Sequence, residues 1–197
     1  MAASRLGQAL AAIDAANAED PHTIDVRGDL RPKELAHAEL MTEWLVQLDP
    51  KADEAQQLAA RAHHLRRWTL PRASYPDGRA GYLRWRTTLK KQHAEEVAGI
   101  LESVGYGEDT IARVQAIIRK EGLATDPQVQ THEDALCLVF LETQLAALAD
   151  DLGDEKMLDV IRKTAAKMSP AGLARVSALP MRDHDRSLIE RALAAEH

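Results

Sequence analysis

The chain has 197 residues, 45% of them hydrophobic and 4% aromatic, with a formal net charge of −6 and a single cysteine, Cys137. That is enough apolar material for one domain with its own core, while the acidic balance excludes nucleic-acid binding by the surface as a whole and leaves room only for a local basic patch. One thiol excludes an internal disulfide framework, and with no signal-like segment and no apolar run near the roughly 18 residues of a spanning helix the chain reads as cytoplasmic, without a membrane partner.

So few aromatic residues leave the packing to Ala and Leu, which favours helices. Residues 3–17 predict a first helix with Leu6, Leu10 and Ile13 on one face. A loop follows to Arg31, in which His22 reads as a surface residue. Pro32 suits the first turn of a second helix, where His37, Met41, Trp44 and Leu48 recur on one face. His37 then stands in an inward stripe, either as a core histidine with one hydrogen bond or as a ligand or proton carrier. Asp49-Pro50 breaks this helix, and Asp53 can cap a third, expected over 53–69. Its inner face is Leu58, Ala62 and Leu65; alanines at 59, 60 and 62 admit a close neighbour, and His63 and His64 fall on opposite flanks.

Leu70 to Ala80 predicts a loop that carries Arg72, Tyr75 and Arg79, the kind of segment on which binding groups sit. A fourth helix over 80–104 groups Tyr82, Trp85, Leu89 and His93, with Arg86 and Lys90 beside them. Gly105-Tyr106-Gly107 ends it, and a fifth helix from Glu108 turns Ile111, Val114, Ile117 and Ile118 inward before Arg119-Lys120. Thr131 is the expected cap of a sixth helix, which is apolar all round from Ala135 to Leu141 and therefore buried. Glu133 and Asp134 would enter the core in its first turn, as helix-dipole complement and cap or as functional carboxylates, with His132 at the surface and Cys137 an inert buried thiol. A helix over 154–168, a short one after Ser169 and a last one from about Asp183 complete an all-α, single-domain bundle spanning 1–197, with helices 154–197 packed on the main bundle and His184 and His197 peripheral.

The chain has no glycine-rich phosphate loop, nucleophile elbow or paired-cysteine zinc motif. Its chemistry lies in dispersed imidazoles and acids: His37, His63, His64, His93, Glu133 and Asp134. Helical bundles build metal sites from such inward side chains, and mixed nitrogen and oxygen ligands suit zinc, iron or manganese. A second group is Arg67, Trp68, Arg72, Tyr75, Arg79, Tyr82, Trp85, Arg86 and Lys90. Guanidinium forks match phosphate oxygens and aromatic rings can stack on a base. The plain alternative is cation–π and carboxylate pairing that holds the loop down.

The order of a histidine at 37, a pair at 63–64 and a distant acid at Asp134 resembles the HD-domain phosphohydrolases, with His64 where that family has an aspartate and His93 standing for the additional histidine of its two-metal members. A closer resemblance rests on His64-Leu65-Arg66-Arg67-Trp68, Pro71-Arg72, Tyr75-Pro76, Arg79-Ala80-Gly81-Tyr82-Leu83-Arg84-Trp85-Arg86, His93-Ala94, Glu133-Asp134-Ala135 and Cys137-Leu138-Val139-Phe140-Leu141. Over about residue 7 to the C-terminus these are similar to the DUF4202 family, a domain of unknown function that brings no activity with it. In that family position 63 is usually Gln and position 37 often Tyr, which puts His64, His93, Glu133 and Asp134 ahead as site residues.

The resulting expectation is an HD-like, metal-dependent phosphohydrolase acting on a nucleotide or another phosphorylated small molecule. A divalent zinc, iron or manganese ion held by His64, His93 and Asp134, with His37 and His63 as further candidates, would activate water. Glu133 would be a further ligand or the general base beside Asp134. Arg67, Arg72, Arg79 and Arg86 would hold the phosphate, and Trp68 or Trp85 would stack. The alternative is a non-catalytic helical module whose arginine and aromatic loop grips a nucleotide or RNA.

Overall fold

The computed structural model describes residues 3–194, and its chain packs as two compact units, Met1–Gly122 and Leu123–His197. Among the described residues the fold is all-α apart from one two-stranded hairpin. Among the described residues, no helix is long and apolar enough to cross a membrane.

The first unit contains α1 (Arg5–Asn17), β1 (Thr23–Val26), β2 (Asp29–Pro32), α2 (Lys33–Leu48), α3 (Glu54–Arg61), α4 (Gly78–Ser103) and α5 (Glu108–Arg119). α3 packs against α1, α2 and α5, and α4 lies on α1 and α5. Its small side chains make this possible. Leu58, Ala59, Ala60, Ala62 and Leu65 have no exposed surface, so neighbouring backbones approach closely around them. A full capping box at Asp53 and Gln56 starts α3, and Arg61 grips Asp14 of α1 through two bonds of 2.5 and 2.7 Å.

The loop expected before α2 contains the β1–β2 hairpin, paired antiparallel from Thr23↔Pro32 to Val26↔Asp29. Positive φ at both Arg27 (56°) and Gly28 (92°) makes a type I′-like turn, and Asp25 Oδ1 accepts from the Gly28 N–H. Four residues per strand are too few for alternation to stand out, and Leu30 on β2 is exposed. The hairpin delivers the chain to α2, where Asp20 Oδ2 accepts from the backbone N–H of Glu34 at 3.1 Å.

The third helix is shorter than the expected 53–69. It stops at Arg61, and the chain continues through i→i+3 turns from Ala62 to Leu65, His64 to Arg67 and Arg66 to Thr69. The cause is tertiary. Arg66 sits in the left-handed region at φ 49°, and its N–H donates to Asn17 Oδ1 at the end of α1. The histidine pair is therefore carried on a tight turn rather than on a helix.

The second unit contains α6 (Pro127–Thr143), α7 (Leu145–Leu152), α8 (Asp154–Ala165), α9 (Pro170–Arg175) and α10 (Asp183–Ala194). α8 packs on α10 and α7, and α6 on α9 and α7. The sixth helix begins four residues before the expected Thr131, because Asp126 caps it and Pro127 occupies its first position. Glu133 and Asp134 therefore sit in its second turn. His132, expected at the surface, is buried. His184 is half exposed beside Asp154, and His197 lies outside the described residues.

Candidate metal centre and anion cleft

Three side chains meet at the junction of α2 with the turn after α3. Glu34 stands in the first turn of α2 and His37 one turn later, a carboxylate and an imidazole at i, i+3 on one face. His64 comes to them from the turn. Its Nδ1 lies 3.1 Å from Glu34 Oε2 and 3.3 Å from His37 Nδ1, and His37 Nδ1 lies 3.5 Å from Glu34 Oε2. The Glu34 and His37 side chains are buried, and that of His64 keeps 14% of its surface exposed. A tetrahedral ion with bonds of about 2.0–2.1 Å holds its ligand atoms about 3.3–3.4 Å apart. The observed triangle has those dimensions, so Glu34, His37 and His64 could hold a metal ion. Two nitrogens and one carboxylate oxygen would leave the remaining position open, as catalytic sites do.

The protons of this cluster can be placed from its partners. Arg67 Nη1 approaches His64 Nε2 at 2.9 Å, and a guanidinium can only donate. His64 Nε2 is therefore an acceptor, and its Nδ1–H points to Glu34. Burial drives His64 well below the usual imidazole range against the opposing pull of Glu34, and Arg67 adds to the shift, so the ring is neutral. Burial would raise the Glu34 carboxyl. The imidazoles of His64 and His37 overcome that and hold it well below the usual carboxylate range.

His64 also forms one wall of a narrow cleft, about 20 Å³ in volume, lined by Arg67, Arg86, Lys90 and Lys120 together with His63 and His93. Among the described residues no carboxylate lines it, although the whole chain is acidic. His93 donates from Nδ1 to the Leu65 carbonyl at 2.8 Å, which leaves Nε2 as the acceptor. Burial pushes its pKa down to about 4, so this ring is neutral as well. The Arg67 guanidinium lies 5.1 Å above the Trp85 ring, and the Trp85 indole N–H is bonded to the Leu70 carbonyl at 2.9 Å.

Of the sequence-predicted residues, His37, His63, His64, His93, Arg67, Arg86 and Lys90 come together in the first unit. Several others serve the local fold. Arg72 donates to the carbonyls of Tyr75 and Pro76 and closes its own loop. Trp85 is buried, so its face supports Arg67 rather than a base. Trp68 and Tyr75 are half-buried, Arg79 is exposed, and Tyr82 is an exposed ring with Arg86 against it.

Glu133 and Asp134 belong to the second unit. Asp134 accepts from the Ser169 N–H at 2.8 Å, the Ser169 hydroxyl at 2.5 Å and Gln130 Nε2 at 3.0 Å. Its carboxylate thus holds the residue that caps α9. Gly172 packs so tightly against it that an added Cβ would lie 2.6 Å from Asp134 Cγ. Asp134→Ala should cost about 2 kcal/mol in urea unfolding, because the half-buried Ser169 donors lose a charged acceptor, and should leave any metal binding unchanged. A loss of metal would return Asp134 to the ligand set.

Sequence reasoning missed Glu34 and Lys120. The signal for Glu34 was present: Glu34-Leu35-Ala36-His37 is a Glu-x-x-His pair, a spacing that helical bundles use for metal ligands. Lys120 reads as an ordinary basic helix end, and only its left-handed backbone at the C-cap of α5 brings it to the cleft.

A family model described as a domain of unknown function, DUF4202, matches residues 7–189. No curated protein and no solved structure matches the chain.

Proposed function

The chain belongs to the DUF4202 family, and from its own side chains we propose that it is a metal-dependent phosphohydrolase acting on a nucleotide or another phosphorylated small molecule. The observation that carries this reading is a buried Glu34–His37–His64 triangle adjoining a cleft lined by four permanent cations. His₂-carboxylate sets hold zinc in hydrolases and iron in oxygenases. The cations beside this one favour phosphoryl chemistry. A divalent zinc, iron or manganese ion would supply a Lewis acid and an activated water there. Arg67, Arg86, Lys90 and Lys120 would neutralise the phosphoryl oxygens, and neutral His93, with Nε2 free to accept, would orient or deprotonate water.

The likeness to HD-domain phosphohydrolases is part of the proposal. Glu34 takes the carboxylate role given to Asp134 on sequence grounds. The buried single thiol needs no oxidising compartment, and a cytoplasmic setting belongs to the same reading.

Purified protein should carry one divalent ion per chain and hydrolyse a generic phosphomonoester, with both properties lost after chelation and in a His37→Ala, His64→Ala double variant. A second reading, a nucleotide- or RNA-binding module without catalysis, draws on the closed chain of hydrogen bonds from Arg67 through His64 to Glu34, which is complete without an ion. Protein free of metal that binds nucleotides equally well with and without chelator would select it.

A further inference from the structure

Arg67 is largely buried and, among the described residues, forms no ion pair; its hydrogen bond goes to His64 Nε2 and its face lies on Trp85. A buried guanidinium normally meets a carboxylate or another anion, since taking a charge out of water is costly without a partner. Here it leans on a neutral ring at the edge of a cleft that also holds Arg86, Lys90 and Lys120. That arrangement gives Arg67 two incompatible tasks.

While Arg67 donates to Nε2, the ring proton of His64 must be on Nδ1, the atom that faces Glu34 and His37. An Nδ1 that carries a proton has no lone pair for a metal. When Nδ1 takes a metal, the proton of the neutral ring moves to Nε2, and two donors then face each other across 2.9 Å. The metal-binding tautomer of His64 and the Arg67 bond exclude one another. A guanidinium displaced from Nε2 needs another acceptor, and among the described residues the cleft beside it is lined by no carboxylate.

We propose that Arg67 is an exchange latch: while it donates to Nε2 it guards His64 against metal, and metal binding releases it to grip a phosphate or phosphoryl group in the Arg86–Lys90–Lys120 cleft, so that metal and phosphate bind with positive cooperativity. The proposal rests on the metal centre described above and specifies how it is regulated. Reciprocity follows from linkage, because an anion that draws Arg67 away frees His64 for the metal to the same extent.

The test is titration with cobalt(II), followed by its visible absorption, with and without saturating inorganic phosphate, in the wild type, Arg67→Met and Arg67→Lys. Phosphate should tighten cobalt binding about tenfold in the wild type. In Arg67→Met, cobalt alone should bind about tenfold more tightly than in the wild type, and the phosphate effect should fall below about twofold. Arg67→Lys keeps a cation, lacks the planar fork, and should lie between the two. Equal cobalt affinity in the wild type and Arg67→Met, with the phosphate effect intact in both, would overturn the latch and leave the metal centre standing. If neither protein binds cobalt, the metal reading fails and the latch fails with it.

Discussion

Replacing Glu34 by Gln is expected to weaken divalent-metal binding by about 100-fold or more and to bring phosphomonoester hydrolysis to background, without unfolding the protein. Gln preserves the size of the side chain and can still accept from His64, so the turn after α3 keeps its anchor at 3.1 Å. What disappears is the only carboxylate of the triangle. A charged oxygen ligand also offsets the cations at the cleft, and without it an added dication would face Arg67 and Arg86 uncompensated. Loss of an outer partner of a metal ligand already costs 10–100-fold, so loss of a ligand itself should reach at least the top of that range. Calorimetric metal titration beside a thermal melt provides the check. Unchanged metal affinity in Glu34→Gln would remove the carboxylate from the centre.

Acidification is expected to destabilise the protein well before its carboxylates are protonated. His93 has a folded-state pKa of about 4 against an ordinary value of 6.5, with burial as the main cause. Between those values the unfolded chain binds a proton that the folded chain does not, so stability falls as the pH falls from about 6.5 to about 4 and is flat below that for this group. The difference of roughly 2.5 units corresponds to about 3 kcal/mol, a large fraction of a typical stability. His64 is shifted in the same direction and adds to the loss. Glu34, held below its ordinary 4.5, contributes stability above that pH and loses it as the pH drops further, so it acts on a later part of the acid limb. Urea unfolding of the wild type and His93→Gln between pH 7 and 4 separates the first contribution. Gln can donate to the Leu65 carbonyl but does not titrate, so the two proteins should converge as the pH falls. A constant gap between them would show that His93 is not the group being charged.

The helices that position the centre were legible wherever local rules were sufficient. Pro32 and the His37–Met41–Trp44 stripe placed α2, Asp53 placed the start of α3, and the glycines around Tyr106 placed the break between α4 and α5. Those signals act over a few residues, the range of a cap or one helical turn. The end of α3 was illegible because its cause is Asn17, 49 residues away, which receives the Arg66 N–H. The start of α6 was open to the same local reasoning, since Asp126-Pro127 is a cap followed by a first-turn proline, but the capping pattern at Thr131 obscured it.

The candidate site divides along the same line. The residue types alone determined that this chain is helical, with buried imidazoles and an arginine-rich segment, because composition and periodicity restrict what a chain can bury. Which acid joins which imidazole was decided by the crossing of α2 with the turn after α3. That crossing brings Glu34 within 3.1 Å of a ring 30 residues away and ties Asp134 to the cap of α9. Side-chain identity sets the available chemistry. Proximity between distant positions depends on how helices pack and where a backbone turns left-handed, and no short-range pattern encodes that.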